Sequence, residues 1–114
     1  MKPQSAKAKG RNLQKYVVEL ILRLFPSLLP DDVTSRSMGA GGEDVLLSPM
    51  ARRLLPISIE CKNRASFAIY KDYEQCTANS GCNEPVLIIK GNRKKPLVVV
   101  DLEHYLKLLK SLQE

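Results

Sequence analysis

Asp44, Glu60 and Lys62 are the residues of this chain whose types and spacing best suit chemistry. Glu60 and Lys62 sit two apart in a run where Ile57, Ile59 and Cys61 alternate with Ser58, Glu60 and Lys62. That period of two belongs to a strand, and it sends both charged side chains out of one face, about 7 Å apart along the backbone. Asp44 opens the preceding apolar segment; if the two strands pair as a hairpin, its carboxylate comes beside Glu60. Two converging carboxylates suit Mg²⁺, with Mn²⁺ as a substitute, because this ion takes one or two acids and fills its other positions with water and phosphate oxygens. Such an ion would polarise a phosphodiester and lower the pKa of an attacking water. Lys62 would orient that water and neutralise charge developing on the phosphate. Taken alone, an E-x-K pair on a strand more often makes a weak, solvated ion pair. Its position after a Gly-rich turn, on a strand whose other face is wholly apolar, favours the metal reading.

The elements that must position these groups follow from periodicity. Residues 11–25 read as a helix with Leu13, Val17, Leu20, Ile21 and Leu24 on one face, stopped by Pro26 and Pro30. Residues 1–10 carry Lys2, Lys7 and Lys9 without an acid and read as a flexible basic arm. Residues 33–37 suit a short strand running into Met38-Gly39-Ala40-Gly41-Gly42, a tight turn. Strands are expected at 44–48 and 54–62, with Pro49 to Arg53 as a connector. A helix is expected over 67–79, capped by Ser66 and closed by Gly81, with Ile69, Tyr73 and Cys76 inward. Buried strands are expected at 86–89 and 97–100 around a basic turn. Asp101 should cap a last helix reaching Leu112, with Leu102, Leu106, Leu109 and Leu112 in one stripe. The order α-β-β-β-α-β-β-α implies an α/β domain, a mixed sheet flanked by helices.

Composition narrows the classes of function. The chain of 114 residues suffices for one domain, here 11–114, and its net charge of +6 favours a polyanionic partner, nucleic acid before anionic membrane. No apolar run approaches the roughly 18 residues of a membrane span, and no leader-like apolar segment follows the basic start, so a cytoplasmic protein is expected. Three cysteines cannot all pair within one chain, which suits a reducing compartment. Without Trp and with few other aromatics, a stacking platform for single strands is poorly supplied. The candidate DNA contacts are Lys9, Arg11 and Lys15; Ser35, Arg36 and Ser37; Arg52, Arg53 and Arg64; and Arg93, Lys94 and Lys95. Any one cluster is by default solvated charge. Together, on both sides of the acids in sequence, they suit tracking of a duplex through its phosphates.

The arrangement resembles the PD-(D/E)XK nuclease superfamily, most of all its small Holliday-junction resolvase-like members from archaea and phages. The matching stretches are Glu19, Ser35-Arg36-Ser37-Met38-Gly39, Gly42-Glu43-Asp44-Val45, Ile59-Glu60-Cys61-Lys62-Asn63, Gln75 and Pro85-Val86-Leu87-Ile88-Ile89-Lys90. Glu43 stands where the family's nominal proline would be. The resemblance implies a restriction-endonuclease-like αβββαβ core, metal-dependent phosphodiester hydrolysis and usually a homodimer acting on double-stranded or branched DNA, with no small-molecule substrate. It makes Asp44 and Glu60 metal ligands and Lys62 the catalytic lysine. It also offers Glu19 as a further acid near the metal and Gln75 as a helix glutamine near the active site. Glu19 has Lys15 and Arg23 four residues to either side, which equally suits a helix-surface ion pair, and Gln75 equally suits an ordinary surface position. The leucine stripe of the last helix, with Leu28 and Leu29, is a candidate dimer surface. A sequence-specific homing- or restriction-type endonuclease and a non-catalytic nucleic-acid-binding module are the alternative functions, in a bacterial, archaeal or phage setting.

Overall fold

The computed structural model describes residues 5–37 and 41–113. Helix α1, Ala6–Leu24, starts before the apolar pattern does: the Ser5 hydroxyl oxygen accepts the Ala8 N–H at 3.1 Å. Lys7, Lys9 and Gly10 therefore lie in the first turns of the helix and not in an arm, while residues 1–4 of the expected arm lie outside the described residues. One buried apolar stripe suffices to seat a helix, so the unpatterned turns extend it once a cap is present. Leu13 and Val17 anchor α1 in the core.

After α1 the chain makes a 3₁₀ turn, Pro30–Asp32, and enters a two-stranded antiparallel sheet of β1, Val33–Ser35, and β2, Val45–Leu47. Val33 pairs with Leu47 and Ser35 with Val45. Both strands are shorter than the sequence suggests, with one further rung from the Arg36 N–H to the Asp44 carbonyl at 2.8 Å. Of the Gly-rich turn, 38–40 lies outside the described residues. Gly42 has φ +92°, a left-handed conformation that glycine adopts without steric cost.

Pro49–Leu54, expected to be a connector, is helix α2. Ser48 accepts the Ala51 N–H, Pro49 occupies the first turn where its missing N–H costs nothing, and Ala51 is fully buried. This helix delays the next strand: β3 is Ile57–Asn63 and does not begin at Leu54.

A mixed three-stranded sheet carries the rest. β4, Glu84–Lys90, runs parallel to β3 with Glu60 opposite Leu87, and β5, Leu97–Val99, runs antiparallel to β4. Parallel strands require a crossover, supplied by α3, Ile69–Ala78. Its N-cap is Ala68 without a side-chain bond, so Ser66 does not cap it. α1 covers one sheet face, where Leu13 and Val17 pack in one cluster with Ile59, Cys61, Val86 and Ile88. α3 covers the other, where Leu87 is fully buried.

The chain is an α/β domain, but among the described residues its five strands form two sheets and not one. β2 meets β3 through Asp44, whose N–H donates to the Ile59 carbonyl at 2.8 Å and whose carboxylate accepts the Cys61 N–H at 2.7 Å. A side chain thus takes an amide that a paired strand's carbonyl would otherwise accept.

The expectation that β5 is buried is not met: Leu97 and Val98 are exposed. α4, Leu102–Ser111, is capped by Asp101 as expected, through the His104 N–H at 3.0 Å. Its first turn is held to β4, with His104 Nδ1 3.2 Å from Glu84 Oε1. The leucine stripe is nevertheless uncovered, Leu102 at 72% and Leu112 at 81% exposure. Leu28 is buried and is no part of an exposed apolar surface, whereas Leu29 is exposed. Among the described residues no helix is long and apolar enough to cross a membrane.

Candidate metal centre and nucleic-acid interface

Glu60 is only 5% exposed, because α3 lies over the polar face of β3. Its Oε1 accepts a 3.4 Å hydrogen bond from Asn79 Nδ2, and its Oε2 is buried with no hydrogen-bond partner among the described residues. Burial pushes the Glu60 carboxyl above its ordinary range, the charge of Asp44 pushes it further, and Lys62 and Asn79 oppose both. Burial likewise raises Asp44, against the Cys61 N–H and the charges of Lys62 and Arg36. Asp44, Glu60 and Lys62 are thus within electrostatic reach of one another.

An orphaned carboxylate oxygen beside a second carboxylate is what a divalent cation would relieve, so the pair fits Mg²⁺ or Mn²⁺. Two acids are the complement: among the described residues no group of three or more His, Cys, Asp or Glu side chains is arranged to hold a metal ion. Glu19 does not join them. It is exposed, about half a turn around α1 from the midline of buried Leu13, Gln14 and Val17. Its expected pairing with Lys15 or Arg23 is not formed either, since neither occurs in an ion pair among the described residues. Gln75 is exposed; the residue that reaches Glu60 is Asn79, the C-cap of α3, one turn further on.

Asp72, also on α3, was not singled out by sequence. It is buried, its charge raises Glu60, and it pairs with Arg64 at 3.2 Å. Asp72, Cys76 and Asn79 recur at i, i+4 and i+7, so a stripe analysis of this helix would have found them.

The expected DNA-binding cations separate into three groups. Arg11, Lys15, Ser35, Arg36 and Ser37 line one cleft of about 500 Å³ between α1 and β1, with the buried Gln14. Lys9 joins the turn between β4 and β5: its Nζ donates to Asn92 Oδ1 at 3.0 Å, and its carbonyl accepts from Asn63 Nδ2 at 3.0 Å. Arg93, Lys94 and Lys95 lie exposed on that turn.

Arg52 and Arg64 belong to a third group whose charge is engaged within the fold. Arg52 binds both carboxylate oxygens of Glu43, at 2.6 and 3.2 Å, and donates to the Ile57 carbonyl at 2.7 Å. It is therefore a structural clamp and not a free phosphate contact. Arg36 Nε grips the Glu43 carbonyl at 2.6 Å, so two arginines fix the residue before Asp44. Arg53 remains exposed.

No family model matches the chain, and no curated protein or solved structure matches it. What the fold defines is an α/β domain with a mixed three-stranded sheet between helices.

The raised carboxyls have a sign that can be measured. A carboxyl whose folded pKa lies above its unfolded value favours folding below the unfolded pKa, and that contribution is lost as pH rises through the folded pKa. For Asp44 and Glu60 the window opens at their ordinary values of 3.8 and 4.5 and extends upward. In EDTA the stabilising contribution of the pair should decline as pH rises through that window, and Mn²⁺ should restore it. Melting curves of wild type and Glu60→Gln with and without Mn²⁺ check this; an identical pH dependence in both proteins would refute it.

Proposed function

We propose that the protein is a Mg²⁺-dependent DNA endonuclease with a restriction-endonuclease-like αβββαβ core, of the structure-specific, junction-resolving type, working as a homodimer in a bacterial or archaeal cytoplasm. The observation that carries this is the buried Glu60 carboxylate, one oxygen unpartnered among the described residues, beside Asp44 and on the same strand face as Lys62. A surface E-x-K pair would not be covered by a helix or lack a hydrogen-bond partner. Asp44 and Glu60 would hold the ion, which when bound supplies charge neutralisation at the scissile phosphate and an activated water. Lys62 positions the nucleophile and balances charge on the phosphate. Asn79 orients Glu60 through Oε1, and the Cys61 N–H orients Asp44. The cationic groups at the α1–β1 cleft and the β4–β5 turn suit backbone contacts on a duplex.

The test is a comparison of a labelled four-way junction with linear duplexes of the same sequence, in Mg²⁺ and in Mn²⁺. Cleavage confined to the junction is the expected result. Cutting of one linear sequence alone would favour the homing- or restriction-type alternative, and no cutting of any DNA would favour the binding module.

Homodimerisation has a surface to use. Leu102, Tyr105, Leu109 and Leu112 follow the 3-4-3 spacing of a helix–helix seam, all exposed, and Leu97 and Val98 extend the patch onto β5. Leu106 and Leu108, also exposed, widen the patch. Leu102→Glu/Leu109→Glu should convert a dimer into a monomer in sedimentation velocity, with the melting temperature per monomer nearly unchanged at high dilution. A wild type that sediments as a monomer at tens of micromolar would remove this part of the reading.

A further inference from the structure

The α1–β1 cleft is lined by cationic and neutral polar side chains. Arg11, Gln14 and Lys15 face it from α1 and Ser35, Arg36 and Ser37 from β1 and its continuation, with no carboxylate among them. Arg11 and Lys15 stand at i and i+4, where like charges repel across one helix face. Neither is in an ion pair among the described residues, and neither is Arg36. Arg36 is nevertheless held: its Nε donates to the Glu43 carbonyl, so the guanidinium is fixed before any ligand arrives. Gln14 adds a polar side chain only 4% exposed, an unusual residue to bury at the edge of an apolar helix face.

Three cations gather around one opening whose lining carries no carboxylate; Asp44 offsets Arg36 from one side, and an anion would relieve the repulsion that Arg11 and Lys15 retain. The main-chain N–H of Arg36 donates to the Asp44 carbonyl, which places the cleft next to the acid pair. We propose that this cleft is a backbone-phosphate subsite, taking the non-bridging oxygens of internal phosphodiesters in the DNA strand that passes the Asp44–Glu60 centre. Its volume, about 500 Å³, is within the ordinary range of ligand sites. The subsite concerns binding, so it stands independently of cleavage.

The same oxyanion chemistry could come from a 5′-terminal phosphate or from free phosphate, and the experiment separates these sources. Fluorescence anisotropy of the full chain in EDTA is followed with a labelled duplex bearing 5′-hydroxyl ends, from 50 to 200 mM KCl. Arg11→Ala/Lys15→Ala should bind more weakly on every sequence and lower the slope of log K against log salt by about 1.8, or 0.9 for each lost phosphate contact. Lys107→Ala, on α4, should leave the slope unchanged. An unchanged slope in the double variant overturns the subsite, as does a wild type that binds no duplex. Binding that requires 5′-phosphorylated ends, or is displaced by millimolar inorganic phosphate, overturns the assignment to internal phosphodiesters. DNA binding through the cleft with no cleavage in Mg²⁺ leaves the subsite standing and removes the nuclease reading instead.

Discussion

Glu60→Gln is expected to lower metal-dependent cleavage by about 10³-fold or more while leaving DNA binding nearly intact and making the metal-free protein more stable. The loss follows from removing a ligand charge from a centre that would contribute several kcal/mol to the transition state, at about 1.4 kcal/mol for each factor of ten. The gain follows from the fold. Glu60 is buried, one of its oxygens is unpartnered among the described residues, and the neighbouring charge of Asp44 raises its pKa further. An amide of the same shape carries no charge to desolvate and can keep the contact with Asn79. Activity and stability should therefore move in opposite directions, a signature that loss of a structural residue does not produce. Asp44→Asn should lose cleavage to a similar degree, since its remaining carbonyl can still accept the Cys61 N–H. Lys62→Ala should lose cleavage yet retain Mn²⁺ binding by electron paramagnetic resonance. Junction cleavage by Glu60→Gln at the wild-type rate would remove Glu60 from the chemistry.

Arg52→Ala carries the second large effect, and it reaches the centre indirectly. Arg52 joins three parts of the chain: its own α2, the Glu43 carboxylate and the Ile57 carbonyl at the start of β3. Its side chain is 26% exposed and that of Glu43 is 15% exposed, so solvent screens the pair only in part. Truncation leaves a half-buried carboxylate without its cation and a carbonyl without its donor, costing about 1–3 kcal/mol. For a domain of this size that is a fall of roughly 4–12 °C in melting temperature.

Glu43 directly precedes Asp44, so its release should also weaken Mn²⁺ binding by about 10- to 100-fold, the usual cost of losing support behind a metal ligand. Arg36 and Arg52 hold the backbone at the residue before Asp44. Adding Glu43→Ala to Arg52→Ala should cost less than the sum of the two single changes, and a double-mutant cycle measures the coupling. If Arg52→Ala melts and binds Mn²⁺ like wild type but binds DNA more weakly, Arg52 is the phosphate contact that sequence alone suggests, and the clamp is rejected.

Much of this was legible in the chain. The alternation from Ile57 to Lys62 placed Glu60 and Lys62 on one strand face, since side-chain direction in a strand is a local property of the backbone. The apolar spacing from Leu13 to Ile21 marked the buried side of α1, and Asp101 marked the start of α4. Other signals were present but weaker than their neighbours. Ser48-Pro49 is a helix start in six residues too short to show a period, and Ser5 begins α1 well ahead of its apolar stripe.

Tertiary structure alone decided what covers each face and which charges meet. Nothing local to β3 says that α3 lies over Ser58 and Glu60, which turns a polar strand face into a buried acid with a raised pKa. Arg36 and Arg52 look alike as basic residues, yet Arg52 meets the Glu43 carboxylate while Arg36 faces an open cleft. β5 and the leucines of α4 share the composition of a core but lack a second layer to bury them. Periodicity and capping depend on residues within a turn or two of each other, and a sequence records those directly. Burial and ion pairing depend on separation in space between elements far apart along the chain, and only the packed fold sets that separation.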